Sequence, residues 1–102
     1  MNAITQQEID RAKINHEASR IAWSELQRFF ASGAAIYVNS DLDLIEVAFQ
    51  ISRDNKPQLA QWMAAGQVGK VTDDQALAWH EADAELWAVV ISPFVLVHPI
   101  RD

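Results

Sequence analysis

The stretch that decides the fold is LWAVVISPFVLVHPI, residues 86–100. Its fifteen residues form the longest run in the chain without Asp, Glu, Lys or Arg. A membrane-spanning helix needs about 20 apolar residues, and Pro93 interrupts this run, so the pattern argues against a membrane anchor. We therefore predict buried strands at residues 86–91 and 94–97. Pro93 cannot donate to a strand ladder, so it marks a bulge, an edge or a sharp turn.

Capping signals predict helices at the start of the chain. Thr5 followed by Glu8 is a capping-box pattern and opens a helix that we expect to reach about residue 22. Ser24 with Gln27 repeats the pattern, and Gly33 is placed to end that segment. These signals leave open whether the region is one bent helix or two.

The middle of the chain reads as a β-hairpin. Residues 35–38 are apolar and rich in β-branched or aromatic side chains, and residues 39–41 are turn formers. Apolar and more polar or smaller residues then alternate, the apolar ones being Ile45, Val47, Phe49 and Ile51. The alternative is a helix that starts at Ser40, but its apolar arc would cover more than half of its circumference. We predict a strand at 43–51.

Two further helices are predicted downstream. Asp54, Asn55 and Pro57 introduce a helix that Gly66 ends, and residues 68–71 form a short strand or a link. A third capping pattern, Thr72 with Gln75, opens the next helix.

Together these elements predict one α+β domain over residues 1–102. We expect a mostly antiparallel sheet of three to four strands, built from 35–39, 43–51 and 86–97. The helices are expected to pack on one face of this sheet.

Composition excludes several chemistries. The chain has no cysteine, so it forms no disulfide, thiolate nucleophile or cysteine-based metal site, and that absence suits a reducing cytoplasm. Residues 1–7 lack the basic start and apolar run of a signal peptide, so we expect a cytoplasmic protein. The net charge is −6, of which −5 falls in residues 72–102. Without clustered Lys and Arg, nucleic acid is not an expected partner.

Histidines are the first candidate site residues. His16, His80 and His98 have no partner at a recognised metal-ligand spacing. His80 falls on the apolar side of its predicted helix. It could act as a general base or a ligand at the mouth of a pocket, or it could be a hydrogen-bonded residue at the boundary of the core; the boundary interpretation is favoured. Residues 66–72 do not have the spacing of a phosphate loop, and Gly66 is better explained as a helix cap.

Acidic and aromatic residues are the other candidates. Asp41, Asp43 and Glu46 form the densest acidic cluster near a turn, where two carboxylates could hold a cation or act as acid and base. Turn and capping chemistry explains the two aspartates without any function. The four tryptophans could stack a ligand, although such spacing is more typical of a core; they are Trp23, Trp62, Trp79 and Trp87.

Three segments resemble a known family: VNSDLDLIEVA at 38–48, WMAAG at 62–66 and LWAVVISPFVLV at 86–97. They resemble a small bacterial family of unknown function, found mainly in proteobacteria and cyanobacteria, and the likeness extends from Ile21 to His98. Phe94 occupies a position where tryptophan is expected. The resemblance implies a bacterial, cytosolic, stand-alone domain, and it implies no activity and no functional residue.

The resulting functional hypothesis is a non-enzymatic interaction module. The uncharged run at 86–100 is long for a domain with few elements to cover it, so a second copy or a protein partner is expected to bind there. The alternative is a small-molecule or metal-binding protein that uses Asp41, Asp43 or His80. No nucleophile–base motif supports an enzyme, and no residue is assigned a catalytic, cofactor-binding or metal-binding role.

Overall fold

The computed structural model describes residues 4–100, which form five helices and five strands. The helices are α1 (Gln6–Glu17), α2 (Trp23–Ala31), α3 (Leu44–Ser52), α4 (Lys56–Ala64) and α5 (Asp73–Glu81). The strands are β1 (Ser19–Ala22), β2 (Ala35–Val38), β3 (Val68–Lys70), β4 (Glu85–Ile91) and β5 (Phe94–Pro99). The predicted α+β class is confirmed.

The five strands form one mixed sheet in the order β1-β4-β5-β2-β3. β4 pairs with β1 and β5 in antiparallel fashion, and β3 pairs in the same way with β2. β2 and β5 run parallel, with Ile36 opposite Leu96. The sheet therefore has one or two strands more than predicted and one parallel pairing.

Helices cover both faces of the sheet, which corrects the expectation of one covered face. On the first face, here called the α3 face, α1, α3 and α4 pack on Val38, Val89 and Leu96. On the second, the α2 face, α2 and α5 pack on Ala88 and Val97. Side chains alternate across each strand, so neighbouring residues of β4 and β5 belong to different cores.

The uncharged run at 86–100 contains β5 and all of β4 except Glu85, and these two strands lie next to each other between β1 and β2. The prediction of strands on both sides of Pro93 is confirmed, and residues 92–93 make the turn between them. A strand covered on both faces is apolar throughout instead of alternating, which explains the length of the run.

The strand predicted at 43–51 is wrong, because these residues form α3. The helix lies between the sheet and its neighbours α1 and α4, and its buried residues are Leu44, Val47, Ala48 and Phe49. A helix packed on several sides is apolar over most of its circumference. The wide apolar arc that counted against a helix is therefore a result of its position.

The helix predicted from Thr5 to about residue 22 ends at Glu17, and β1 follows it directly. β1 pairs with β4 at the edge of the sheet, with Arg20 opposite Trp87. The cap predicted at Ser24 is also wrong: the N-cap of α2 is Ala22, which has no side-chain oxygen. The region contains two helices separated by this strand.

Other capping predictions are confirmed. Thr5 accepts a hydrogen bond from the Glu8 backbone N–H, and Thr72 forms a complete capping box with Gln75. Gly33 follows the end of α2 at φ +79°, a left-handed conformation that favours glycine.

Candidate functional site

A cleft of about 500 Å³ opens on the α3 face, and it is called the Trp87 cleft below. The end of α1, the start of α3 and the inner strands enclose it. Its lining residues are Asn15, Ala18, Leu42, Asp43, Leu44, Ile45, Trp87 and His98. Small-molecule sites are typically concave, mostly apolar and of about 300–1,000 Å³, with a few polar groups that orient the ligand. The Trp87 cleft fits this description.

The floor of the cleft is a cross-strand pair, because Trp87 of β4 lies opposite His98 of β5. The indole is 36% exposed, while the Nδ1 atom of His98 is buried. On the neighbouring strand, the Arg20 guanidinium lies over the Trp87 ring, with Cζ 5.3 Å from the ring centroid. A cation–π contact at an exposed site contributes about 0.5–1 kcal/mol, so Arg20 favours this orientation of the indole at the floor of the cleft.

One wall is set by the turn that starts α3. The Asp41 backbone N–H donates to Asn39 Oδ1 at 2.8 Å. Asp43 is the N-cap, and its Oδ1 accepts from the backbone N–H groups of Ile45 at 2.9 Å and Glu46 at 3.3 Å. Because Oδ1 accepts both capping bonds, Oδ2 is the oxygen of Asp43 that can serve a ligand.

The opposite wall comes from α1, which an ion pair fixes to α3. Arg11 donates from Nε to Glu46 Oε2 at 2.8 Å and from Nη2 to Oε1 at 3.2 Å, a two-point geometry. Gln50 also donates to Glu46, at 2.8 Å. These hydrogen bonds from Arg11 and Gln50 lower the pKa of Glu46 against the opposing effect of burial. The pair therefore holds the two walls in register.

The three predicted carboxylates do not converge. Asp43 lines the cleft and caps α3, as the turn-and-capping interpretation expected, whereas Glu46 is committed to Arg11. Within residues 4–100, no group of three or more His, Asp or Glu side chains could hold a metal ion. Asp41, Asp43 and Glu46 therefore do not form a three-carboxylate site.

His80 does not share a cleft with Asp43. It lies on α5, which packs on the α2 face, and its Nδ1 is 3.0 Å from Gln27 Nε2 of α2. His80 is hydrogen-bonded, as the favoured interpretation expected, but it is exposed and does not lie at the boundary of the core. His16 lies on the exposed side of α1, away from the Trp87 cleft.

The pairing of Trp87 with His98 is what sequence reasoning missed. The signal was available, because both residues stand equally far from the turn at residues 92–93 and an antiparallel hairpin places such residues opposite each other. The other tryptophans have packing roles: Trp23 and Trp79 lie in the α2-face core with ring centroids 5.1 Å apart, and Trp62 packs against the α3-face core.

The glycine-containing segment at 66–72 has a structural role. Gly66 ends α4 at φ +72°, Gly69 lies in β3, and Thr72 caps α5. In residues 4–100, no helix is both long and apolar enough to cross a membrane.

Fold and cleft together define a small mixed α+β domain, a five-stranded sheet between two helical layers, with the Trp87 cleft on the α3 face. The chain belongs to the family described as Protein of unknown function (DUF2288), whose model matches residues 9–99. This confirms the resemblance to a small family of unknown function.

A solved relative has the same fold. The chain is similar to PA1075 from Pseudomonas aeruginosa, known from an NMR solution structure, at 38% sequence identity and a TM-score of 0.81. The match covers 100% of this chain and 95% of that one. A comparison with curated proteins found no match.

Proposed function

We propose that this chain binds a small planar organic molecule in the Trp87 cleft. The observation that carries the proposal is the convergence of an exposed indole, a carboxylate and an amide from three separate segments on one cavity of about 500 Å³. This proposal keeps the acidic cleft expected from the sequence, but places His98 in it instead of His80.

The chemistry of the lining selects the class of ligand. Trp87 offers an aromatic surface, and Leu42 and Ile45 add apolar walls. Asp43 can only accept hydrogen bonds when ionised, and the Asn15 amide can donate or accept. A flat heterocycle with an N–H donor satisfies both parts of the site, whereas a planar anion would be repelled by Asp43.

The direct test is a titration followed by ¹H–¹⁵N NMR. The probe is 2-aminobenzimidazole, which is flat and carries N–H donors, at about 1 mM, where a ligand of millimolar affinity half-saturates its site. Benzoate is the matched planar anion. We expect the first probe to shift the Trp87 indole N–H, identified by its loss in Trp87→Phe, and the backbone signals of Asp43 and Ile45.

Two substitutions localise the binding. Ala18 lines the cleft, so Ala18→Phe fills it and should abolish the shifts. Ala78→Phe adds the same side chain to an exposed position of α5, on the other face of the sheet, and should leave binding unchanged. If Ala18→Phe binds like the unaltered chain, or if neither probe shifts any cleft residue, the proposal is wrong.

Self-association through residues 86–100 is a second candidate. Its support is the set of apolar side chains that these strands expose: Val90 is 56% exposed on the α2 face, and Trp87 and Phe94 are exposed on the α3 face. Light scattering after size-exclusion chromatography at micromolar concentration tests it. A dimer that Val90→Lys dissociates would support this candidate, and a strict monomer would reject it.

A further inference from the structure

A second apolar site lies on the α3 face, at the end of β4 and β5 where these strands turn. A cavity of about 230 Å³ there has an exposed lining that is wholly apolar. Residues of β2, β3, β5, α3 and α4 enclose it: Ile36, Ile51, Leu59, Met63, Val68 and Phe94. Lys70 lines it as well, through the apolar stem of its side chain.

The cavity adjoins an open depression of about 400 Å³ that is partly polar. The two share Ile51, Leu59 and Phe94, and are together called the Phe94 groove. In the depression, the polar lining includes Ser52, Asp54, Asn55 and Lys56. The Ser52 hydroxyl and the Asn55 amide already donate within the chain, to Phe49 O and Gln50 Oε1, so the Lys56 ammonium is the charged donor there. The groove therefore passes from a wholly apolar interior to a partly polar mouth that carries the Lys56 ammonium.

An apolar ligand suits the interior better than water does. A buried water needs two to four polar partners, and the exposed lining offers none. Cavities of about 150 Å³ with similar linings accept a hydrocarbon the size of benzene, so this one has room for part of an alkyl chain. Phe94 is 38% and Met63 55% exposed, so the rim already presents apolar surface to solvent.

Charge around the groove favours an anionic head group. Residues 47–71 contain three basic residues and one acidic residue, in a chain whose net charge is −6. The basic residues are Arg53, Lys56 and Lys70, and the acid is Asp54, whose carboxylate is 3.9 Å from Lys56 Nζ. Both members of that pair are 81% exposed, so they separate readily and Lys56 can turn to another anion.

We propose that the Phe94 groove binds a single-chain amphiphile, with its acyl chain in the apolar interior and a carboxylate beside Lys56 at the mouth. The groove is separate from the Trp87 cleft, since no lining residue is common to both. The proposal therefore does not depend on the proposed function.

The test is an NMR titration of the full chain with monomeric decanoate at up to about 1 mM. We expect saturable shifts of the Phe94, Ser52 and Gly69 backbone signals. Acetate tests whether binding needs the alkyl chain of decanoate, and decylamine tests whether binding needs an anionic head group. Acetate should cause no shifts at these residues, and decylamine should bind at least fivefold more weakly than decanoate.

Variants of α4 and β3 test the two halves of the site separately. Met63→Trp covers the interior from an exposed position and should weaken decanoate at least tenfold, whereas Leu77→Trp on the exposed side of α5 should have no effect. Lys56→Gln and Lys70→Gln should each weaken decanoate about two- to fivefold, as expected for exposed ion pairs, and should strengthen decylamine binding by relieving charge repulsion.

Four outcomes would overturn the proposal. The first is the absence of shifts, and the second is shifts that lie outside the groove or are unaffected by Met63→Trp. The third is equal binding of decylamine, which would reject the anionic head group. The fourth is binding to phosphatidylglycerol vesicles without binding to monomeric decanoate, which would indicate a membrane surface instead of a single amphiphile.

Discussion

Asp43 has two possible roles, capping α3 and contacting a ligand, and two substitutions separate them. Asp43→Ala removes both roles. Asp43→Asn keeps the cap, because an asparagine oxygen accepts the same bonds from Ile45 and Glu46. The asparagine oxygen must take the place of Oδ1 to keep the cap, because the amide NH₂ cannot accept a hydrogen bond. The NH₂ group then takes the place of Oδ2. The edge of the cleft would then change from an acceptor to a donor.

The expected magnitudes follow from the cap. Replacing an N-cap Asp with Ala costs about 0.5–2 kcal/mol, typically about 1. In a domain of about 100 residues, 1 kcal/mol lowers Tm by about 4–8 °C. Asn caps a helix about as well as Asp, so Asp43→Asn should lower the free energy of unfolding by less than half as much as Asp43→Ala. Binding of 2-aminobenzimidazole should nevertheless fall about tenfold in the Asn variant, because its N–H would meet another donor.

The assay combines thermal unfolding by circular dichroism with the NMR titration on the same three proteins. The decisive result is a stable Asn variant with impaired binding and an Ala variant impaired in both measurements. If Asn and Ala destabilise the chain equally, the carboxylate charge at the helix N-terminus matters and the hydrogen bonds do not. If Asp43→Asn binds the probe normally, Asp43 does not contact the ligand.

Three further predictions concern the Arg11–Glu46 ion pair, the buried core and His80. Arg11 lowers the pKa of Glu46. The ion pair therefore contributes its full stabilisation at pH values above the ordinary glutamate pKa of about 4.3. This contribution is lost as the pH falls through the lowered pKa of Glu46. Urea unfolding from pH 6 to 2.5 should therefore show a smaller acid-induced loss in Glu46→Gln, and an unchanged loss would contradict the assignment. Leu96→Ala removes a fully buried side chain between the helical layers and should cost about 2–5 kcal/mol by urea unfolding, against less than about 0.5 for Leu77→Ala on the surface. His80→Gln should change Tm by less than about 4 °C, because the hydrogen bond of His80 to Gln27 is exposed. It should leave binding of 2-aminobenzimidazole unchanged, because His80 lies on the α2 face. A loss of binding would show that the two faces are coupled.

Local chemistry made several elements predictable from the sequence. The caps at Thr5 and Thr72 and the left-handed glycines at 33 and 66 are set by residues within a few positions of each other. Such signals survive in any tertiary context, because both partners lie in the same turn. The inner strands were also predictable, since a strand buried on both faces has a continuous apolar sequence.

Tertiary contacts decided the elements that were missed. The alternation of Ile45, Val47, Phe49 and Ile51 favours a strand, but the same residues cover a helix that packs on three neighbours. β1 has no strong local signal; it is a strand because its backbone pairs with β4. The interpretation of Asp43 survived the error at α3, since a turn or capping role needs only the backbone N–H groups that follow it within the next three residues.

The distribution of charge links these findings to the two proposed sites. The acidic last third includes α5 and its flanking residues, and α5 packs on the α2 face. Both proposed sites open on the α3 face, and residues 47–71, several of which line the Phe94 groove, carry a local excess of basic residues. Exposed charges beyond about 10 Å are screened at 0.1 M salt, so the acidity of α5 has little effect across the sheet at that ionic strength. Each site therefore depends on its nearest charges: Asp43 selects an N–H donor in the Trp87 cleft, and Lys56 with Lys70 selects an anion at the Phe94 groove.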